Sequence, residues 1–323
     1  MIKNEVVFIT GGVGFIGCSI ARRLLENNNK VIVYDNFTRD SLQYFPGLSE
    51  HENLKIIQGD IRNKEAISSA IGNSTIIYHL AAIAGVSKYF SIPVDVLEVN
   101  ILGTYNLLDA VKNNKNIKLF FDFSTSEIYG SNCFNAFEDG DVRLEDLNEK
   151  RWTYATSKIA SEKFGMSYFW QYDVPFIGIR PFNIYGPGQV GEGVISYFLN
   201  NAIDHKTINI TGDGSQSRTY CYIDDFISGL ELLTEKSDDA IGKSFNIGTN
   251  TEIISVKSLA ELAINITDSK SEIKYVKHLG EDVMVRSPNI NRIKKYGYEP
   301  KYSLTEGLKN TAAWYSKNKV ILD

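Results

Sequence analysis

Cysteine is scarce and scattered in this chain. Its 323 residues hold three, Cys18, Cys133 and Cys221, with no C-x-x-C pair. That excludes a disulfide framework and a cysteine zinc site. Histidine is nearly as rare: His51, His79, His205 and His278 stand far apart, with no pair at helical spacing, so no metal is expected. No apolar run approaches the ~20 residues of a membrane span. An apolar strand pattern begins at Val6, which predicts no signal peptide and a cytoplasmic protein. Acidic residues outnumber basic ones, 39 to 34, for a net charge of −5; this argues against nucleic acid as the main partner. No repeat, low-complexity tract or long linker divides the chain.

What is present is a βαβ rhythm. Strand patterns lie at Val6–Thr10, Lys30–Asp35, Leu54–Gly59, Thr75–Leu80, Leu119–Ser124 and Phe176–Arg180. Helical patterns fall at Phe15–Asn27, Lys64–Ile71, Asp95–Lys112 and Tyr154–Tyr172. Alternation of this kind predicts an α/β fold, a Rossmann-like doubly wound parallel sheet. After Arg180 a Gly- and Pro-rich loop leads to mixed elements, ending in an amphipathic helix at Leu304–Tyr315. The expected division is a dinucleotide-binding domain over 1–180, with the chain returning to it near 219–250, and a smaller, mainly substrate-binding lobe over 181–323.

Gly11-x-x-Gly14-x-x-Gly17 closes the first strand. Gly11 suits a tight turn, Gly14 lets a phosphate approach the main chain, and Gly17 lets the following helix lie close to the strand. The free N–H groups at that helix start attract a pyrophosphate. Asp35 ends the second strand about 20 residues on, where a carboxylate binds both ribose hydroxyls of an adenosine and repels a 2′-phosphate. NAD is therefore the expected cofactor, with Arg39 nearby as the one contrary sign.

Tyr154 and Lys158 stand at i and i+4, on one helix face. An ammonium one turn away, with a positive nicotinamide ring, would lower the pKa of the phenol and let it take a proton from a sugar hydroxyl. Thr125 follows a strand at the same edge and is placed to share that proton. Ser126 and Glu127 come next, as a candidate second acid/base pair, with the Glu127 carboxyl expected to be raised by desolvation.

Taken in order, Thr10-Gly11-Gly12-Val13-Gly14-Phe15-Ile16-Gly17, Gly59-Asp60-Ile61-Arg62, His79-Leu80-Ala81-Ala82, Ser124-Thr125-Ser126-Glu127-Ile128-Tyr129-Gly130, Tyr154-Ala155-Thr156-Ser157-Lys158 and Arg180-Pro181-Phe182-Asn183 resemble the extended short-chain dehydrogenase/reductase superfamily. The branch is that of NAD-dependent nucleotide-sugar epimerases, dehydratases and decarboxylases. The resemblance implies a cofactor site of Gly11, Gly14, Phe15, Ile16, Gly17, Asp35, Asn36, Asp60, Ile61, Leu80, Ala81, Ala82, Tyr154 and Lys158, with Asp60 and Ile61 at the adenine. It implies catalysis by Thr125, Tyr154 and Lys158, joined by Ser126 and Glu127. A nucleotide-diphosphate sugar would meet Val86, Thr125, Asn183, Val194 and Arg218, with Arg218 on its phosphates. Asn100 is assigned to helix geometry. The resemblance further implies a homodimer built on Ile101–Lys112 and Ile159–Tyr172.

All members of that branch begin by oxidising C4 of the hexose. A 4,6-dehydratase would carry aspartate where Ser126 stands. Arg151-Trp152-Thr153-Tyr154 and the Thr-Ser-Glu order match uronate decarboxylases, with Arg218 or Arg180 as the cation near the lost carboxylate. The loop Gly186–Gly193 resembles that of some 4-epimerases. Epimerisation at C4 ranks just ahead of decarboxylation, as the commoner outcome in the branch. A plain C4 dehydrogenase, a 4-keto-sugar reductase and a non-catalytic NAD-binding module are the further alternatives; the last predicts loss of Tyr154, Lys158 or Thr125, and all three are present.

Overall fold

The structure, a computed structural model, describes residues 2–277 and 283–318; His278 lies outside the described residues. Its first half forms β1 (Val6–Thr10), α1 (Phe15–Leu25), β2 (Lys30–Asp35), β3 (Leu54–Gln58), α2 (Lys64–Ile71), β4 (Ile76–His79), α3 (Val86–Ser91), α4 (Pro93–Leu97), α5 (Gly103–Val111), β5 (Leu119–Phe123), β6 (Asn132–Ala136), α6 (Thr153–Tyr172) and β7 (Phe176–Pro181). The second half adds β8 (Ile184–Tyr185), α7 (Val194–Ile203), β9 (Ile208–Thr211), β10 (Ser217–Arg218), β11 (Cys221–Tyr222), α8 (Ile223–Glu235), β12 (Lys243–Ile247), β13 (Ile254–Ser255), β14 (Ile273–Val276) and β15 (Val285–Pro288), with a closing helix over Leu304–Lys317.

Seven parallel strands form the central sheet in the order β12-β7-β5-β4-β1-β2-β3. Connections run one way from β1 and the other way from β4, so a crevice opens between the carboxyl ends of these two strands. Helices cover both faces, which is why the strands are apolar on both sides. Val7, Ile9, Phe121 and Phe123 pack toward α1 and α8. Phe8, Ile77 and Phe120 pack toward α2, α5 and α6. No helix among the described residues is long and apolar enough to cross a membrane.

Three features depart from the sequence reading. The helix expected over Asp95–Lys112 starts at Pro93, loosens into a π-type turn over Glu98–Leu102 and resumes at Gly103; a proline fits a first helical turn, where its missing N–H costs nothing. A thirteen-residue helix, α8, occupies Ile223–Glu235, where only a chain crossing was expected. Strand β6 lies within the first 180 residues yet pairs with β15, in the four-stranded sheet β13-β10-β15-β6 of the smaller lobe.

Candidate active site

The crevice gathers the glycine turn and the ends of β2, β3, β4 and β5. Gly11 takes a left-handed φ of 70°, and a Cβ there would lie 2.7 Å from the Ala81 nitrogen. At Gly17 a Cβ would meet the Gly11 carbonyl oxygen at 2.5 Å. Both glycines are thus demanded by packing. Gly14 is different: a Cβ there would find only the Gly11 oxygen, at 3.4 Å. Space in front of its main chain is what an approaching pyrophosphate needs, so the residues present fit a dinucleotide. Gly14→Ala should therefore leave the melting temperature near wild type while weakening NAD about tenfold or more by calorimetry. An equally stable, equally tight variant would remove phosphate from this turn.

Asp35 is buried and binds the turn to the end of β2. Its carboxylate accepts from Val13 N–H at 3.1 Å and Phe37 N–H at 2.8 Å. Each oxygen keeps a lone pair for a ribose hydroxyl. Burial raises its pKa above the ordinary carboxylate range, and the backbone bonds oppose this. Arg39 does not extend toward Asp35 as a 2′-phosphate ligand; its guanidinium donates to the Ala84 carbonyl at 2.6 Å. Asn36 is exposed and Phe15 and Ile16 are half-buried at the start of α1. The Asp60 carboxylate is held by Arg62 at 2.7 Å. The Ile61 side chain is buried in the core against Gly103. Leu80, Ala81 and Ala82 follow β4, half-buried along the crevice.

Thr125, just beyond β5, caps the next turn by accepting from Glu127 N–H at 3.3 Å. Its hydroxyl is also hydrogen-bonded to the Tyr154 phenol. The Tyr154 ring stacks on Tyr89, with centroids 5.2 Å apart and planes within 4°. Burial, then the Glu127 charge, pushes the phenol up; the Thr125 hydrogen bond opposes them. The expectation that its surroundings lower this phenol is therefore not met by protein groups alone. Lys158 is 2% exposed, and burial pulls it below the ordinary lysine range.

Asn100 does more than shape its helix. Its side chain accepts from Ile83 N–H at 2.8 Å and donates to Ser157 Oγ at 2.9 Å. It thereby fastens the loop after β4 to the helix that carries Tyr154 and Lys158.

Glu127 overturns its expected behaviour. Arg151 grips both carboxylate oxygens, at 2.6 and 3.1 Å, and Arg286 reaches one at 3.5 Å. Burial raises the carboxyl, but Arg286 and Arg151 outweigh it and hold it below the usual range. Glu127 is a fixed anion, not a raised-pKa proton shuttle. Ser126 is buried beside it. All three charged groups are under a tenth exposed, yet the Nε and Nη2 groups of Arg286 have no hydrogen-bond partner among the described residues. Arg286 thus has two buried donors left over among the described residues.

Arg180, one of the two cations expected near a reacting carboxylate, lies elsewhere. It is consumed by Glu162 at 2.7 Å and the Tyr129 hydroxyl at 2.7 Å. Arg286 replaces it. Arg218 stands on β10 in register with Arg286 on β15, so the two arginines are neighbours across the smaller sheet. Asn183, at a left-handed φ of 46°, donates to the Thr219 carbonyl at 2.7 Å and so anchors that strand to the end of β7. Val86 begins α3 and is exposed, and Val194 begins α7. They flank a hydrogen bond from Ser87 to Glu192 that joins the two lobes at the crevice mouth. Among the described residues no three His, Cys, Asp or Glu side chains form a metal site.

Comparison with known proteins agrees with this geometry. Residues 7–248 match the profile of the NAD dependent epimerase/dehydratase family. UDP-N-acetyl-alpha-D-glucosaminuronate decarboxylase of Bacillus cytotoxicus is 32% identical, over 95% of this chain and 96% of that protein. Human dTDP-D-glucose 4,6-dehydratase is 31% identical, over 97% of this chain and 90% of its own length. Among solved structures, UDP-glucuronic acid 4-epimerase from Bacillus cereus, in complex with UDP-glucuronic acid and NAD, superposes with a TM-score of 0.88 at 26% identity. That superposition covers 97% of this chain and 99% of the other.

Proposed function

We propose that this chain, which belongs to the NAD-dependent epimerase/dehydratase family, oxidises C4 of a nucleotide-linked hexuronate and releases its C6 carboxylate as carbon dioxide. The observation that carries this reading is the buried Glu127–Arg151–Arg286 cluster behind the Thr125–Tyr154 pair. The Arg286 donors, buried and without a partner among the described residues, suit a carboxylate, whereas a neutral hydroxymethyl group would leave them unsatisfied. The reading reverses the sequence-based preference for simple 4-epimerisation.

Tyr154 removes the C4 hydroxyl proton, with Thr125 hydrogen-bonded to both oxygens and Lys158 a turn away. NAD supplies the hydride acceptor at C4, later its donor, and in oxidised form a positive ring that draws the phenol proton off. The 4-ketone then serves as electron sink. Arg286 and Arg151 orient the carboxylate; the C5–C6 bond breaks, its electron pair becomes the C4–C5 enolate, and the protonated Tyr154 hydroxyl stabilises the enolate oxygen. A proton returned to C5 completes a nucleotide-linked pentose once C4 is reduced. Arg218 takes the diphosphate in this reading, and Asn183 fixes the strand that presents it.

A second reading, C4 epimerisation of the same uronate, is favoured by the likeness to the UDP-glucuronic acid 4-epimerase. Incubation with UDP-glucuronate and UDP-N-acetylglucosaminuronate, followed by mass spectrometry, separates the two. Loss of carbon dioxide is the expected result; unchanged mass with inverted C4 would favour the second reading. Turnover of neutral hexoses alone would refute both. The reading includes a homodimer, supported by the outward apolar side chains Leu102 (50% exposed) and Trp170 (63%) on the two helical segments. It also includes a cytoplasmic location, consistent with three free, buried cysteines.

A further inference from the structure

We propose that Asp122 is a positioning residue of the catalytic pair, its ionised carboxylate serving as the fixed counter-charge that keeps Lys158 an ammonium. Asp122 sits on β5, three residues before Thr125, and is fully buried. Alternation along the strand puts it on the same face as Phe120, which packs toward α6. On α6, Lys158 and Glu162 stand one turn apart and both act electrostatically on Asp122.

Among the described residues, Lys158 is the positive charge that acts on Asp122. His79 is paired with Asp122 across β4 and β5. Both ring nitrogens of His79 are taken by threonine hydroxyls, Thr10 and Thr104, each at 2.8 Å. Burial, with the nearby Lys158 charge, pushes the His79 pKa down to about 3, so it stays neutral. From α6, Glu162 is occupied by Arg180 at 2.7 Å and the Ser244 hydroxyl at 2.6 Å. Across β7 the register partner is Gly178, which has no side chain. Neither Asp122 oxygen has a hydrogen-bond donor among the described residues. A buried charge in that position persists only beside an opposite one.

The electrostatics agree with the placement. Burial pushes the Asp122 carboxyl up to about 6, with Lys158 holding it down and Glu162 pushing it up. For Lys158, burial lowers the pKa and Asp122 is the foremost group opposing it. Without that opposition the ammonium would be lost at lower pH, and with it the charge that steadies a Tyr154 phenolate.

The inference rests on Tyr154 and Lys158 acting as the proton-handling pair, not on which sugar is turned over. Its test compares the kcat/KM pH profile of Asp122→Asn and Asp122→Leu with wild type, on whichever nucleotide sugar wild type converts. The basic limb, which reports loss of the Lys158 proton, should move down by about one pH unit in both, and by the same amount, since charge and not volume is removed. One unit above the new limb, each variant should fall about tenfold below its own maximum. Infrared titration of the wild-type holoenzyme should show no isolated carbonyl stretch from a buried protonated carboxyl at about pH 8. An unmoved basic limb in folded, NAD-loaded variants overturns the proposal, and so does a protonated carboxyl at that pH. Should neither variant fold, the infrared titration decides alone. Should wild type convert no nucleotide sugar, the functional reading falls while the infrared result still judges Asp122.

Discussion

Tyr154→Phe should lower kcat by about a thousandfold, within the range that a positioned acid or base contributes, and should leave NAD binding and the fold intact. The substitution removes one oxygen and nothing else. The ring keeps its parallel contact with Tyr89 at 5.2 Å, and the helix keeps its register, so Lys158 stays buried in place. What disappears is the group hydrogen-bonded to Thr125, and with it the proposed route by which the C4 hydroxyl loses its proton. KM should change little, because the phenol oxygen acts on a developing alkoxide more than on bound substrate. Stopped-flow absorbance at the NADH band in a single turnover is the direct measurement: the first oxidation should vanish from the observed timescale. Turnover within tenfold of wild type would place the base elsewhere.

Much of the fold was legible because its signals are local and periodic. β1, β2 and α2 have the bounds that their apolar patterns give. The glycine turn was legible for a related reason: the conformations and close approaches at Gly11 and Gly17 admit no other residue without strain. Tyr154 and Lys158 are joined by one turn of helix, so spacing alone put them on a face. Glu127 shows where this ends. Its identity was readable, but its charge state depends on Arg151 and Arg286, 24 and 159 residues away. Arg286 lies on a four-residue strand beside residues that no periodic pattern marks. Its partnership exists only because β15 pairs with β10 and β6. Asn100 was misread for the same kind of reason, since its partners are Ile83 and Ser157. The helix α8 was within reach: Asp224 and Asp225 in its first turn, followed by inward Phe226, Ile227, Leu230 and Leu233, make an ordinary amphipathic start.

Arg286→Gln should cost about a hundredfold in kcat/KM for a nucleotide hexuronate, the scale of a lost charge-assisted pair of hydrogen bonds. The effect on a neutral nucleotide hexose should be slight. Glutamine keeps a donor and most of the length beside its strand partner Cys133, but the positive charge and the fork geometry are gone. The consequence spreads to Glu127. Arg286 is one of the two guanidiniums that hold that carboxyl down, with Arg151. Its loss raises the folded-state pKa of Glu127, so the anion is protonated at a higher pH than in wild type. The acid limb of the activity profile should therefore move upward, with activity failing sooner as pH falls. Glu127→Gln tests the other side of the same balance. With the anion removed, the Arg286 guanidinium no longer shares its charge with Glu127 and faces the substrate carboxylate. Uronate should then bind more tightly while carbon dioxide release slows, because a carboxylate clamped as a ground-state ion pair is harder to break from C5. Isothermal titration with UDP-glucuronate, beside rates of labelled carbon dioxide release, resolves both effects. Equal losses for charged and neutral sugars in Arg286→Gln would mean that the cluster supports the fold and holds no carboxylate.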